Sequence, residues 1–140
     1  MLPDKLVRHA DLGLLIVRVG LGIMFMFHGA PKLFGGPEKW VPVGQAMSGF
    51  GITFAPAFWG FMCAFSEFVG GACVAMGLFF RLFAALLFIV MLVASRMLLG
   101  KGGGLLSASQ PIEDGIVFLG LIFVGPGRFS LDAWLRRFFS

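Results

Sequence analysis

Several ionisable residues lie inside long apolar stretches of the sequence, where an unpaired charge is costly. Glu67 is at the midpoint of one such stretch, and Arg18 and His28 lie in another. A charged residue at the centre of a membrane helix costs roughly 2.5 to 3.5 kcal/mol on insertion scales. We therefore expect these side chains to face the interior of a helix bundle and to be paired. Glu67 is the first candidate for a functional residue.

The spacing of the polar residues places them on single helix faces. In the first apolar stretch, steps of three and four residues put five side chains on one face, namely Arg18, Leu21, Phe25, His28 and Lys32. Assuming antiparallel neighbouring helices, we predict that Glu67 pairs with Arg96 or His28. By the same counting, Glu113 is predicted to pair with Lys32 or Arg96.

A carboxylate and an imidazole inside a membrane can carry protons near neutral pH. Glu67 and His28 are therefore the predicted catalytic pair, a proton relay to a quinone or another carrier. The predicted ligand-binding residues are Arg18, Lys32, Arg96 and Glu113. In the alternative interpretation, the same charges are interhelical salt bridges that only fix the register of the helices.

Several other chemistries are excluded by the residue types present. His9 and His28 are separated by roughly 28 Å along a helix, so the chain cannot supply two axial ligands to one haem. Too few Cys and His ligands exist for a zinc site, and no metal site is predicted. Cys63 and Cys73 are too far apart on one helix to form a disulfide bond. The chain thus has no evident cofactor site of its own, and a quinone is the cofactor to consider.

The elements that must position these residues are membrane helices. The sequence is 59% hydrophobic and 13% charged, beyond what a soluble domain of 140 residues could bury. We predict an all-α fold, an integral membrane bundle of four transmembrane helices with short interfacial helices, in a single domain. The predicted spans are about 12–34, 54–80, 82–99 and 111–125, and an interfacial helix is predicted at about 130–139. The fourth span is short, so its helix must borrow length from the loop or lie where the bilayer is thin.

The positive charges indicate membrane orientation rather than nucleic-acid binding, because they lie at the ends of apolar stretches and form no stripe. Four crossings put six of them on one side, namely Lys5, Arg8, Arg81, Arg128, Arg136 and Arg137. The positive-inside rule then predicts that both termini are cytoplasmic. Arg81, Arg128 and Asp132 are predicted to have structural or interfacial roles, with Asp132 in the first turn of a helix capped by Ser130.

Several short motifs in order along the chain resemble the DoxX family. They are Arg18, then FHGAPKL at 27–33, FGI at 50–52, EFVGG at 67–71, GLFFR at 77–81, ED at 113–114 and GPGRFSLD at 125–132. DoxX proteins are small four-helix bacterial inner-membrane proteins classed as oxidoreductases, with relatives among the membrane subunits of thiosulfate:quinone oxidoreductase. A related group carries cysteine pairs for thiol chemistry, which this sequence lacks.

This resemblance implies a membrane subunit of a redox system, either a quinone-linked oxidoreductase or a proton relay, acting with a partner protein. Its matching positions are Arg18, His28, Lys32, Glu67, Arg81, Glu113, Arg128 and Asp132. The implied location is the bacterial plasma membrane, with the lipid bilayer and a partner protein or a homo-oligomer as partners. Two alternatives are a small-solute transporter or channel, and a non-catalytic scaffold that recruits soluble enzymes.

Overall fold

The computed structural model describes residues 4–139, which are mainly helical and contain no strand. The six α-helices are α1 Asp4–Phe34, α2 Pro37–Gly44, α3 Pro56–Met76, α4 Phe80–Gly100, α5 Ser109–Val124 and α6 Leu131–Phe139. Two short 3-10 helices, Gln45–Phe50 and Leu105–Ala108, precede α3 and α5. Four of the helical segments are long and apolar enough to cross a membrane, which confirms the predicted fold class. The predicted single domain also includes residues 1–3 and 140, which lie outside the described residues.

The helix ends differ from the predicted spans in physically understandable ways. Helix α1 begins at Asp4, well before the predicted start near residue 12, and is long enough to continue past the end of α3. Helix α3 ends earlier than predicted because Gly77 adopts a left-handed conformation with φ 70°. The fourth span, Leu105–Val124, includes the 3-10 helix, so it takes length from the loop as expected.

Helices α1 and α3 are antiparallel, and their backbones touch. A Cβ atom on Gly71 would lie 2.6 Å from the carbonyl oxygen of Gly22, and one on Gly29 would lie 2.5 Å from the amide nitrogen of Phe68. Only glycine fits such an approach, which is typical of helix pairs in membranes. These contacts fix the register of the two helices and bring the last turn of α1 alongside Glu67.

The rest of the bundle packs around a small aromatic and aliphatic core. Phe25 of α1 and Phe118 of α5 are buried and meet edge to face, with ring centroids 5.1 Å apart. Helix α4 lies between α3 and α5 and buries Phe80 and Leu87 in the same core.

The bundle has two different ends. We call the end formed by residues 4–17, the α3–α4 turn and α6 the termini end, and the end formed by α2 and residues 101–104 the loop end. At the loop end, α2 packs closely on the start of α3. The indole nitrogen of Trp40 donates a hydrogen bond of 2.9 Å to the carbonyl oxygen of Lys32, which ties α2 to α1.

Candidate functional site

Glu67 forms an ion pair with Lys32 on the loop-end side of the bundle. The ammonium Nζ of Lys32 lies 2.9 Å from Oε2 and 3.2 Å from Oε1 of Glu67. The Glu67 side chain is 5% exposed and that of Lys32 is 36% exposed. The prediction that Glu67 is buried and paired is therefore met in this geometry. The pair bridges α1 and α3.

The identity of the partner differs from the sequence prediction. The glycine contacts place Gly29 against Glu67 and Phe68, so Lys32, one turn further along α1, reaches the carboxylate. Within residues 4–139, Lys32–Glu67 is the one ion pair between side chains. The predicted pairings of Glu67 with Arg96 or His28, and of Glu113 with Lys32 or Arg96, are therefore wrong.

Arg96 and Glu113 lie on the outer faces of their helices instead of the interior. Arg96 shares the exposed face of α4 with Ile89 and Leu92, and Glu113 shares that of α5 with Ile116. Both residues lie about one turn from the end of their helix that is at the loop end of the bundle. From this depth a long polar side chain can reach the headgroup layer. This accounts for their position without a protein partner.

His28 forms neither an ion pair nor a hydrogen bond with Glu67, whose partner among the described residues is Lys32. Its ring is exposed and packs against Phe25, with ring centroids 5.9 Å apart. Asp114 of α5 lies within electrostatic range of His28 and of Glu113. His28 and Glu67 therefore do not form one constellation.

A cavity of about 720 Å³ opens beside the ion pair. Helices α3 and α4 are in contact near Gly70, where a Cβ atom would lie 3.3 Å from the ring of Phe83. Toward the loop end, α2, the 3-10 helix that follows it, α3 and α4 enclose the cavity, and Lys32 and Glu67 form part of its wall. Most other lining residues are apolar, such as Met47, Met62 and Val93. The volume and the mainly apolar lining are typical of a small-molecule site.

Few polar groups line the cavity besides the ion pair. The Ser66 hydroxyl donates 2.7 Å to the carbonyl oxygen of Met62, and the Cys63 sulfur lies 3.9 Å from Oε1 of Glu67. Trp59 also lines the cavity, and its buried Nε1–H has no acceptor among the described residues. A buried donor without an acceptor is uncommon in native proteins. A ligand with an acceptor oxygen would supply what Trp59 lacks.

Arg18, predicted as a ligand-binding residue, is instead bound to the backbone. It is 1% exposed. Its guanidinium donates to the carbonyl oxygens of Val74 and Ala75, at 3.2 and 3.0 Å, and to those of Pro126 and Phe129, at 2.8 and 2.9 Å. The first two carbonyls belong to the last turn of α3, where helical partners run out, although Val74 also accepts from the amide of Gly77 at 3.1 Å. Arg18 therefore joins α1, α3 and the 125–130 segment.

The three residues predicted to be structural or interfacial lie together at the termini end. Both carboxylate oxygens of Asp132 accept hydrogen bonds of 2.9 Å, one from the amide of Phe79 and one from that of Phe80, at the start of α4. Arg81 is exposed and lies against Gly125, and the amide of Arg128 donates to Asp11 at 3.3 Å. Asp132 thus caps α4 from another helix in addition to lying in the first turn of α6.

Sequence reasoning missed Trp59 and the cavity, and it assigned Lys32 to the wrong partner. One signal could have corrected the second error. Gly22 and Gly29 in α1 and Gly71 in α3 are small residues on otherwise bulky helices, and pairing Gly22 with Gly71 in an antiparallel arrangement brings Gly29 within about one turn of Glu67. No comparable signal exists for the cavity, because its walls come from four separate segments.

Comparisons with known proteins give the family. Residues 13–99, more than half of the chain, match the family model described as DoxX. This range includes α2, α3, nearly all of α4 and every lining residue named above. Comparisons with curated proteins and with solved structures returned no match.

Proposed function

Since this chain belongs to the DoxX family, we propose that it is the quinone-binding membrane subunit of a redox system and that the loop-end cavity is its quinone site. The observation that carries the proposal is the position of the Lys32–Glu67 pair in the wall of a mainly apolar cavity, whose other charged lining residue is Lys101. A quinone has the matching chemistry, because it joins a polar ring with two carbonyl oxygens to a long apolar tail.

The cavity can be reached from the surrounding lipid. Ile89 and Phe58 line it and are also exposed on the outer surface of the bundle. A ligand dissolved in the bilayer could therefore enter past Phe58 of α3 and Ile89 of α4, with its tail left against apolar side chains. A water-soluble substrate would gain nothing from such an entrance.

The ion pair supplies the groups that a quinone ring requires. The Lys32 ammonium can donate a hydrogen bond to one carbonyl oxygen, and Trp59 Nε1–H is an available second donor. Reduction of a quinone to the quinol takes up two electrons and two protons. Glu67 and Lys32 can exchange the protons, and the electrons come from a partner redox protein, since the sequence has no evident cofactor site. His28, outside the cavity, has no part in this proposal.

We further propose that the protein lies in a bacterial plasma membrane with both termini in the cytoplasm. The termini end carries Arg8, Arg81, Arg128, Arg136 and Arg137, as the positive-inside rule requires of the cytoplasmic side. The partner redox protein then has access to the quinone site from within the membrane or from its outer surface.

Fluorescence quenching by a quinone tests the proposal. Trp40 and Trp59 lie at the loop end and Trp134 at the termini end, so Trp134→Phe leaves only reporters near the cavity. In this background, reconstituted in nanodiscs, we expect a short-tailed quinone to quench the fluorescence with saturation. Glu67→Gln should weaken binding about tenfold, which corresponds to the loss of about 1.4 kcal/mol.

Two controls make the result specific. Glu113→Gln removes a carboxylate outside the cavity and should leave the affinity unchanged. An isoprenoid alcohol without the quinone ring should compete poorly. Equal affinity in the Glu67→Gln protein would contradict a role for the ion pair, and equal competition by the alcohol would show that the cavity recognises an apolar tail rather than a quinone.

A further inference from the structure

A second cavity lies at the termini end, far from the proposed quinone site. It has a volume of about 500 Å³ and is enclosed by the first turn of α4, Pro126 and one side of α6. Two arginines, Arg81 from α4 and Arg136 from α6, are among its lining residues. The cavity therefore combines two positive charges from different helices with the carboxylate of Asp132, which also lines it.

Asp132 holds α6 in the position that forms this cavity. Its carboxylate binds the amides of Phe79 and Phe80, and its own amide donates 3.0 Å to the carbonyl oxygen of Gly77. Phe79 has a left-handed backbone with φ 45°, which is unfavourable for a residue with a Cβ atom and is held in place by these bonds. The connection between α6 and the α3–α4 turn is thus fixed at three points.

The same bonds leave the two arginines without a protein anion. Both oxygens of Asp132 are taken by backbone amides, and neither guanidinium forms an ion pair with any residue from 4 to 139. The Arg81 guanidinium lies beside the end of α5, since a Cβ atom on Gly125 would lie 2.9 Å from its Nη2. Two guanidinium groups that line one cavity offer the positive charge and the forked N–H donors that bind a phosphate group.

The surroundings of the cavity match a lipid rather than a soluble anion. Phe79, Leu82 and Phe139 line it and are largely exposed, so they offer an apolar surface beside the two charges. Helix α6 has apolar residues on one face and Arg136 and Arg137 in its last turn, the pattern of a helix that lies in the headgroup layer.

We propose that this cavity binds the phosphate of an anionic phospholipid through Arg81 and Arg136, with the acyl chains against Phe79 and Leu82. Basic pockets at the ends of transmembrane helices are suited to such headgroups. The bound lipid joins α4 to α6 and so strengthens the attachment of α6 to the bundle. This site is independent of the quinone proposal, because it shares no residue with the loop-end cavity.

Native mass spectrometry and thermal denaturation of the full-length protein in detergent test the site. Phosphatidylglycerol should stay bound to the protein and raise its melting temperature by several degrees, whereas phosphatidylcholine at the same concentration should do neither. The double variant Arg81→Gln and Arg136→Gln should lose both effects. Both residues are exposed, so the variant is expected to fold.

Arg137→Gln is the matched control, because Arg137 is next to Arg136 on α6 and does not line the cavity. It should keep the response to phosphatidylglycerol. An equal loss in this control would indicate diffuse attraction to basic residues and overturn the proposal. An equal stabilisation by inorganic phosphate alone would also overturn it, since the ligand would then be a free anion.

Discussion

The two ends of the bundle satisfy buried charges in opposite ways. At the termini end, Arg18 and Asp132 bind backbone groups, four carbonyl oxygens and two amides respectively. At the loop end, Glu67 and Lys32 bind each other beside a cavity. Backbone partners are present whenever the helices are folded, whereas a side-chain pair can exchange a partner with a ligand. The difference is the reason why we propose a structural role for the first set and a binding role for the second.

The backbone contacts of Arg18 explain why its burial is not evidence of a ligand site. A helix leaves its last carbonyl groups without partners, and at the end of α3 two of them accept from Arg18. The other two carbonyls lie in the 125–130 segment, which connects α5 to α6. One guanidinium thus binds four backbone acceptors, of which Val74 also accepts from the amide of Gly77.

Replacing Arg18 by Met should have the largest effect on stability. Hydrogen bonds to charged groups contribute about 1.5 to 3 kcal/mol each, and four acceptors would be left without their donor. We expect the free energy of unfolding to fall by about 3 kcal/mol or more, measured by denaturant titration in detergent. Quinone affinity, measured at a temperature where the variant is folded, should be unchanged.

The control for Arg18 is Arg137→Met, which removes an exposed arginine at the same end of the bundle. Its stability should stay within about 0.5 kcal/mol of the wild-type value. If Arg18→Met kept full stability but lost quinone binding, the division between a structural termini end and a binding loop end would be wrong.

The sequence predicts the fold much better than the site. Apolar stretches of sufficient length predict the four spans, and the capping role of Ser130 is confirmed by the bond of 3.2 Å that its hydroxyl oxygen accepts from Ala133. Burial of Glu67 also follows from its place in the second stretch. The identity of its partner does not follow from the sequence, because periodicity gives the face of one helix and not the register of that helix against the next. The register depends on backbone contacts at Gly22, Gly29 and Gly71.

The role of Arg18 was beyond sequence reasoning for a related reason. Its acceptors Pro126 and Phe129 are 108 and 111 residues away along the chain. Carbonyl groups also exist at every residue and leave no mark in the sequence. A buried charge that is paired with the backbone therefore cannot be distinguished, by composition or spacing, from one that awaits a ligand.

Gly29→Ala should have the second largest effect on stability. It sharpens the comparison of the two ends, because it moves the Lys32–Glu67 ion pair without changing either charge. The new methyl group would overlap the backbone of Phe68 and the Cβ atom of Glu67. Forcing extra volume into packed cores costs typically about 1–3 kcal/mol. We expect a stability loss in this range and weaker quinone binding, since α1 must shift and carry Lys32 away from Glu67.

Gly20→Ala is the matched control on the same helix, since a Cβ atom there would meet nothing within 4 Å. Alanine favours helix formation over glycine, so this variant should be as stable as the wild type or more stable. A Gly29→Ala protein with unchanged stability and unchanged quinone affinity would show that the close approach of α1 and α3 does not position the pair.

Removing both charges of the ion pair, in the double variant Lys32→Met and Glu67→Leu, should have the smallest effect on stability. Polar pairs within membrane proteins contribute on average about 0.6 kcal/mol, and apolar side chains of similar size can replace a buried ion pair at little cost. We therefore expect a change in the free energy of unfolding of less than about 1 kcal/mol, but loss of saturable quinone quenching. Each single variant should be less stable than the double variant, because it leaves one charge alone in the bundle. A double variant as unstable as Arg18→Met would instead mean that the ion pair holds α1 to α3, as Arg18 does at the other end. The case for a binding role at the loop end would then rest on the cavity alone.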